Sequence, residues 1–269
     1  MNRKYTYILL VLLVTTGLYF AEKYVDGSPS SEPETAKQSN TSTTEFGKEY
    51  LPSSTTGAIV HHSHYSLSYS EKHEQAEWVA YEVAKSHLSD NDFDRPYFIE
   101  DKKVRSGSAD WRNYKRSGYD RGHLCPAGAR RFSYDAYKET FLTSNISPQN
   151  HEFNSGIWNR LEQKVRRWAN EHDGVYVITG GILKDGLKTI GSEKVSIPNE
   201  FYKIIIDNSG SKPKAIAFLI PNRDSSQSYF EYVTTIDILE SKTGIDFLEG
   251  LPDATESTLE SSLEIEHWQ

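Results

Sequence analysis

Hydrophobic positions along this chain follow three patterns. The first is an unbroken apolar run, Tyr5 to Ala21, with Arg3 and Lys4 ahead of it. At 17 residues it sits at the short end of the ~17–25 that span a bilayer. A basic flank before an apolar centre also describes a secretory signal peptide. Thr15-Thr16-Gly17 supplies small residues, but no Ala-x-Ala motif appears, and no cysteine follows the run to carry a lipid. Residues 1–25 therefore read as an uncleaved signal anchor in preference to a cleaved signal peptide or a buried helix. The basic flank leaves the rest of the chain outside the cytoplasm, membrane-anchored or, if the segment is cleaved, secreted or periplasmic.

The second pattern is periodic. Ala58–Tyr69 alternates and is rich in β-favouring residues, which predicts a strand. Glu74–His87 carries Ala76, Val79, Ala80, Val83 and Ala84 on one helical stripe. Ser133–Phe141 predicts a short helix capped by Ser133. Asn154–Asn170 predicts an amphipathic helix through Ile157, Trp158, Leu161, Val165 and Trp168. Val175–Leu183, Phe201–Asp207 and Lys214–Ile220 are β-branched and aromatic runs bounded by Gly, Pro or Asn, hence strands. Thr235–Lys242 predicts a closing helix. The third pattern is the lack of one. Residues 26–57 are dominated by Ser, Thr, Pro, Glu and Gly, too polar to offset their ordering entropy, and read as a flexible tether. Residues 251–269 read as an acidic flexible tail. The expected whole is one mixed α/β domain over residues 58–250.

Composition changes this picture in two respects. A single cysteine excludes an intrachain disulfide and a four-cysteine zinc site. The net charge of −8 hides opposed segments. Residues 235–269 hold nine acidic residues against Lys242, whereas residues 101–170 hold fourteen basic against seven acidic. A cationic patch inside an acidic chain is the asymmetry expected where one face meets a polyanion.

The chemistry concentrates between Tyr119 and Arg167. Asp120-Arg121-Gly122-His123 sets a guanidinium and an imidazole two positions apart, and Gly122 permits a turn or a close approach between them. Asn145 and Gln149 flank Pro148 in a polar loop. Asn154 opens the amphipathic helix, and Glu162 lies eight residues on, about 12 Å of rise and about 80° round the axis in an ideal α-helix. Phosphodiester hydrolysis needs an activated water, a cation to offset charge on phosphorus and help for the leaving oxygen. An imidazole near its ordinary pKa can take the proton, and arginine can grip phosphate. Magnesium asks for few protein oxygens, so one Asn carbonyl suffices with a carboxylate bracing its waters.

The blocks DRGH, SNISPQN and N-x3-W-x2-LE resemble the DNA/RNA non-specific endonucleases, closely over Tyr119–Arg167 and more loosely over residues 58–250. The resemblance implies a ββα-metal fold, a central and mostly antiparallel sheet flanked by helices. It implies that His123 is the general base, that Arg121 stabilises the transition state or leaving group, and that Asn154 is the direct ligand of a Mg2+ for which Mn2+ can substitute. Glu162 would then bond the metal's waters, Asn145 would orient the histidine or the phosphate, and Gln149 would support that loop beside the substrate. Products would carry 5′-phosphate and 3′-hydroxyl ends, with DNA and RNA as substrates. Arg130, Arg131 and Arg166 are the candidates for phosphate grip.

Each feature has a plainer counterpart. Asn154 suits an N-cap, Glu162 an ion pair with Arg166 at i+4, and Arg121 a pair with Asp120. Cys125 stands too far from His123 along an extended strand for a Cys–His nucleophile and reads as a small buried thiol. His61, His62 and His64 lack an adjacent carboxylate or thiol to complete a metal site. Trp78 and Trp168 read as core. Two other activities remain open on sequence alone: a silent nucleic-acid-binding homologue, and a metal-dependent phosphodiesterase of smaller substrates.

Overall fold

The structure, a computed structural model, describes residues 47–269; the signal anchor and the first part of the tether lie outside these residues. Along them run β1 (Ile59–His61), β2 (Ser66–Ser70), β3 (Gln75–Ala84), β4 (Asp120–His123), β5 (Ile146–Gln149) and β6 (Gly174–Gly181). They continue as β7 (Thr189–Ile190), β8 (Val195–Ser196), β9 (Glu200–Asp207), β10 (Lys214–Pro221) and β11 (Val233–Thr234). The helices are α1 (Tyr134–Glu139), α2 (His151–Phe153), a π-turn at Asn154–Trp158, α3 (Asn159–Glu171), α4 (Ile236–Thr243) and α5 (Asp253–Glu260). A seven-stranded sheet in the order β1-β2-β3-β6-β9-β10-β11 is antiparallel at every pairing. The expected mixed α/β class with a central antiparallel sheet is observed.

Both faces of the sheet are covered, which explains its continuous apolar strands. On one face α3 packs Leu161, Val165, Trp168 and Ala169 against Val79, Tyr81, Val177 and Ile205. On the other, α4 and α5 bring Ile236, Leu239 and Leu259 to Trp78, Ile178, Ile204 and Ile206. Thr235 caps α4 by accepting from Ile238 N, and Ser133 caps α1 by accepting from Ala136 N. Among the described residues no helix is long and apolar enough to cross a membrane.

Four expectations are corrected. Residues 74–87 form β3 and not a helix. Their stripe arises because a central strand buries both faces and because Glu77 is the extra residue of a bulge opposite Ser68 and Tyr69. The bulge puts Ala76 on the face of Val79, Tyr81 and Val83, with Trp78 and Ala80 on the other, so period two imitates period 3.6. Ala58–Tyr69 is a hairpin, β1 and β2, and not one strand. The last residues of the tether are docked: Tyr50 is buried, Trp78 Nε1 donates to Ser53 O (2.8 Å), and Thr55 N donates to the Glu77 carboxylate (3.0 Å). The tail is docked as well. Leu259 and Trp268 are buried, the Trp268 ring lies 5.1 Å from that of Trp168, and Trp168 Nε1 donates to Trp268 O (2.9 Å). A few large apolar anchors hold what mean polarity made look loose.

Candidate active site

The informative stretch folds as a two-stranded ribbon apart from the main sheet. β4 and β5 pair Asp120 with Gln149, Arg121 with Pro148, Gly122 with Ser147 and His123 with Ile146. Gly122 is required by a close approach and not by a turn, since a Cβ there would stand 2.1 Å from Gln149 Cδ. Gln149 is fully buried with no room to yield. Gly122→Ala is accordingly expected to cost about 1–3 kcal/mol by overpacking, read as a lower urea midpoint. Gln149 thus shapes the ribbon and is not among the residues that line the cleft described below; both its amide atoms are buried without a partner.

Asn145 is also fully buried. Its amide accepts from Cys125 N (2.8 Å) and donates to Cys125 O and Thr140 O (2.9 Å each). It makes no hydrogen bond to the imidazole and does not line the cleft; it pins the backbone two residues beyond His123. Cys125 is buried, and burial pushes its thiol up to about 11, an inert group as expected.

His123 packs against Phe98 and Phe141, at 5.6 and 5.0 Å between ring centres. Arg121 stands 4.8 Å over the same Phe98 ring and Arg95 5.5 Å over it. Burial, with the Arg95 and Arg121 charges added, pushes the imidazole down to about 3. The ring is therefore neutral, though far from the ordinary pKa that the residue type suggested. Its Nε2 is buried and without a partner.

Asp120 does not pair with Arg121. Its Oδ2 accepts from Asn154 Nδ2 (2.9 Å) and His151 Nδ1 (3.0 Å). Asn154 is not the helix cap; Asn150 is, accepting from Phe153 N (3.1 Å). With its NH2 committed to Asp120, Asn154 keeps a carbonyl oxygen without a protein partner, which suits a hard cation. Asn154, Arg121, Arg95, Lys115, Trp111 and Tyr119 line one cleft of about 450 Å3. The two arginines that press on His123 are thus walls of the cleft that Asn154 faces. Glu162, in the first turn of α3, is not part of that wall. Burial raises its pKa against the opposing charges of Lys203 and Arg166.

The expected phosphate-gripping arginines are elsewhere. Arg130 is 1% exposed, lies 5.1 Å over Tyr81 and donates to His64 O and Ala129 O (3.0 Å each), a buried structural cation. Arg166 lies against Gly128, and Arg131 holds Asn91 through its carbonyl; neither lines the cleft. The cations that do line the cleft, besides Arg121, are Arg95 and Lys115. Sequence reading missed Arg95 because it stands in a patternless polar stretch before Pro96, outside the basic segment. The histidine cluster does meet carboxylates: His62 Nε2 contacts Asp101 and His64 Nδ1 contacts Glu139, each at 2.8 Å, brought in from distant sequence.

A family profile described as DNA/RNA non-specific endonuclease matches residues 42–254. The mitochondrial nuclease EXOG of Danio rerio is 32% identical over 223 residues, covering 77% of this chain and 65% of that protein. A nuclease of Nostoc sp. is 31% identical over 217 residues, covering 74% and 76%. A crystal structure of the EndoG/EndoGI complex aligns with a TM-score of 0.67 at 30% identity, covering 72% of this chain and 86% of that one. The chain spans 56–65% of the length of the animal EXOG proteins it resembles.

Proposed function

Because this chain belongs to the DNA/RNA non-specific endonuclease family, we propose that it hydrolyses phosphodiester bonds of DNA and RNA with little sequence preference, using His123 as general base beside one hydrated Mg2+. The observation that carries the reading is the neutral, half-buried imidazole beside a cleft walled by Arg95, Arg121 and the uncommitted carbonyl of Asn154. Asn154 would hold the ion and Glu162 would brace its waters; when bound, the ion offsets charge on phosphorus and the leaving oxygen. Arg121 and Arg95 bind the phosphate. Its negative charge then cancels the two cations that depress His123, so the ring gains proton affinity when the substrate is seated. His123 takes the proton of the attacking water. The cleft's named groups address phosphate and water, which is the physical basis of low sequence preference.

The test is plasmid nicking by the purified chain. Cleavage with Mg2+, arrest by EDTA and recovery on adding Mg2+ or Mn2+ is the expected series. Binding without nicking would mark a silent homologue, and turnover of small phosphodiesters alone would mark a different phosphoesterase. The same reading places the enzyme outside the cytoplasm, supported by Arg3 and Lys4 before the apolar run 5–21. Protease added to intact cells would then remove the domain, and full protection would refute that placement.

A further inference from the structure

Away from the cleft, three side chains from different parts of the chain converge. His172 follows the last turn of α3, Asp207 ends β9, and His267 belongs to a short turn at Glu266–Trp268. Between Asn154 and His172 runs the whole of α3, Asn159–Glu171, with about 18 Å of helical rise, so this cluster is a second locality. His267 Nε2 stands 2.8 Å from Asp207 Oδ2 and His172 Nδ1 stands 3.4 Å from the same oxygen. The two imidazoles are stacked, 4.6 Å between centres and 27° between planes. All three donor atoms lie within 4.8 Å of one another.

We propose that His172, Asp207 and His267 bind a zinc-type transition-metal dication, with a fourth position left to water. Four observations support this. The donor set, two imidazole nitrogens and one carboxylate oxygen, is what borderline dications prefer. Tetrahedral zinc with ligands at ~2.0–2.1 Å sets its donors about 3.3 Å apart, so the 3.4 Å contact already fits and the 2.8 Å contact must open by about half an ångström. The carboxylate is oriented from behind, because Ser209 N donates to Asp207 Oδ1 (2.8 Å) and leaves Oδ2 facing the imidazoles. Finally, His172 makes no side-chain hydrogen bond and meets Asp207 only through the 3.4 Å contact of Nδ1, the nitrogen that would take the ion. A shallow opening of about 210 Å3 bordered by His172, Asn208 and Ser209 gives an ion and its water a way in. The ion would staple the 266–268 turn to the ends of α3 and β9, a structural role independent of catalysis.

The experiment strips the purified full chain with a chelator and titrates it with Co2+ alone, read by visible absorption. A tetrahedral site gives an intense band, whereas a water-rich octahedral ion gives a weak one, so the cleft does not interfere. Expected is one equivalent of intense band that Zn2+ displaces, that persists in Asn154→Ala and that disappears in His267→Gln. Zinc affinity should fall by more than the roughly 10–100-fold that loss of an outer hydrogen-bond partner costs, and the Zn2+-dependent rise in Tm should vanish with it. His172→Gln serves if His267→Gln fails to fold. No intense band in the wild type, which would leave only a histidine–carboxylate contact, overturns the proposal; so does a band that survives both substitutions.

Discussion

His123→Ala is expected to lower turnover of plasmid DNA by about 10²–10⁴-fold, the usual share of a general base, while binding measured by fluorescence anisotropy stays close to wild type. Arg95, Arg121 and Lys115, the cationic side chains that line the cleft, remain in the variant. Equal cleavage by the variant would remove His123 from the reaction. The pH profile gives a second reading. In the free enzyme the ring is pushed down to about 3, so it stays neutral through the range where an ordinary histidine protonates. The acid limb of kcat/KM, which reports the free enzyme, should then lie well below pH 6.5. The limb of kcat, which reports the bound complex, should lie higher, because bound phosphate cancels the Arg95 and Arg121 charges. Coincident limbs near 6.5 would contradict the depression of this ring's pKa. The same shift acts on stability. A folded-state pKa below the unfolded one means that the unfolded chain binds more protons, so this contribution is complete above about 6.5 and is lost as pH falls toward 3.

Trp268→Ala is expected to destabilise the domain by about 3–5 kcal/mol, the range for removing a fully buried tryptophan, measured as a fall in the urea midpoint. The ring fills a pocket against Trp168 and His172 and leaves no exposed surface of its own. A midpoint unchanged within error would mean that residues 266–268 are not part of the core.

The expected and observed structures agree where local chemistry decides and part where distant residues do. Ser133 and Thr235 announce their helices because a hydroxyl before an apolar period can satisfy an orphan amide locally. The strands at 174–181, 200–207 and 214–221 stand out because continuous β-branched runs suit a sheet covered on both sides. By contrast, β3 is a strand only through its partners β2 and β6, and its bulge makes its period deceptive. Trp268 looks isolated in an acidic segment until Trp168, a hundred residues away, supplies its cover. In the site, the DRGH block was readable as chemistry, and the structure brings Arg121 and Asn154 to one cleft. Residue type alone could not reveal that Arg130 is swallowed by Tyr81, that Arg95 supplies the missing cation, or how far burial depresses His123.

The π-turn at Asn154–Trp158, where Gly156 leaves helical geometry (φ −96°, ψ −108°), bears on how Asn154 and Glu162 are phased. Such a turn accommodates one additional residue within an otherwise α-helical segment. Asn154 stands before this break and Glu162 after it, so their angular relation is set at Gly156 and not by the ~100° step of a continuous α-helix. The irregularity acts as a vernier: it re-phases Asn154 relative to Glu162 without altering the apolar seam that keeps α3 on the sheet. A relative lacking one residue here could retain the same core and the same side chains yet hold them out of step.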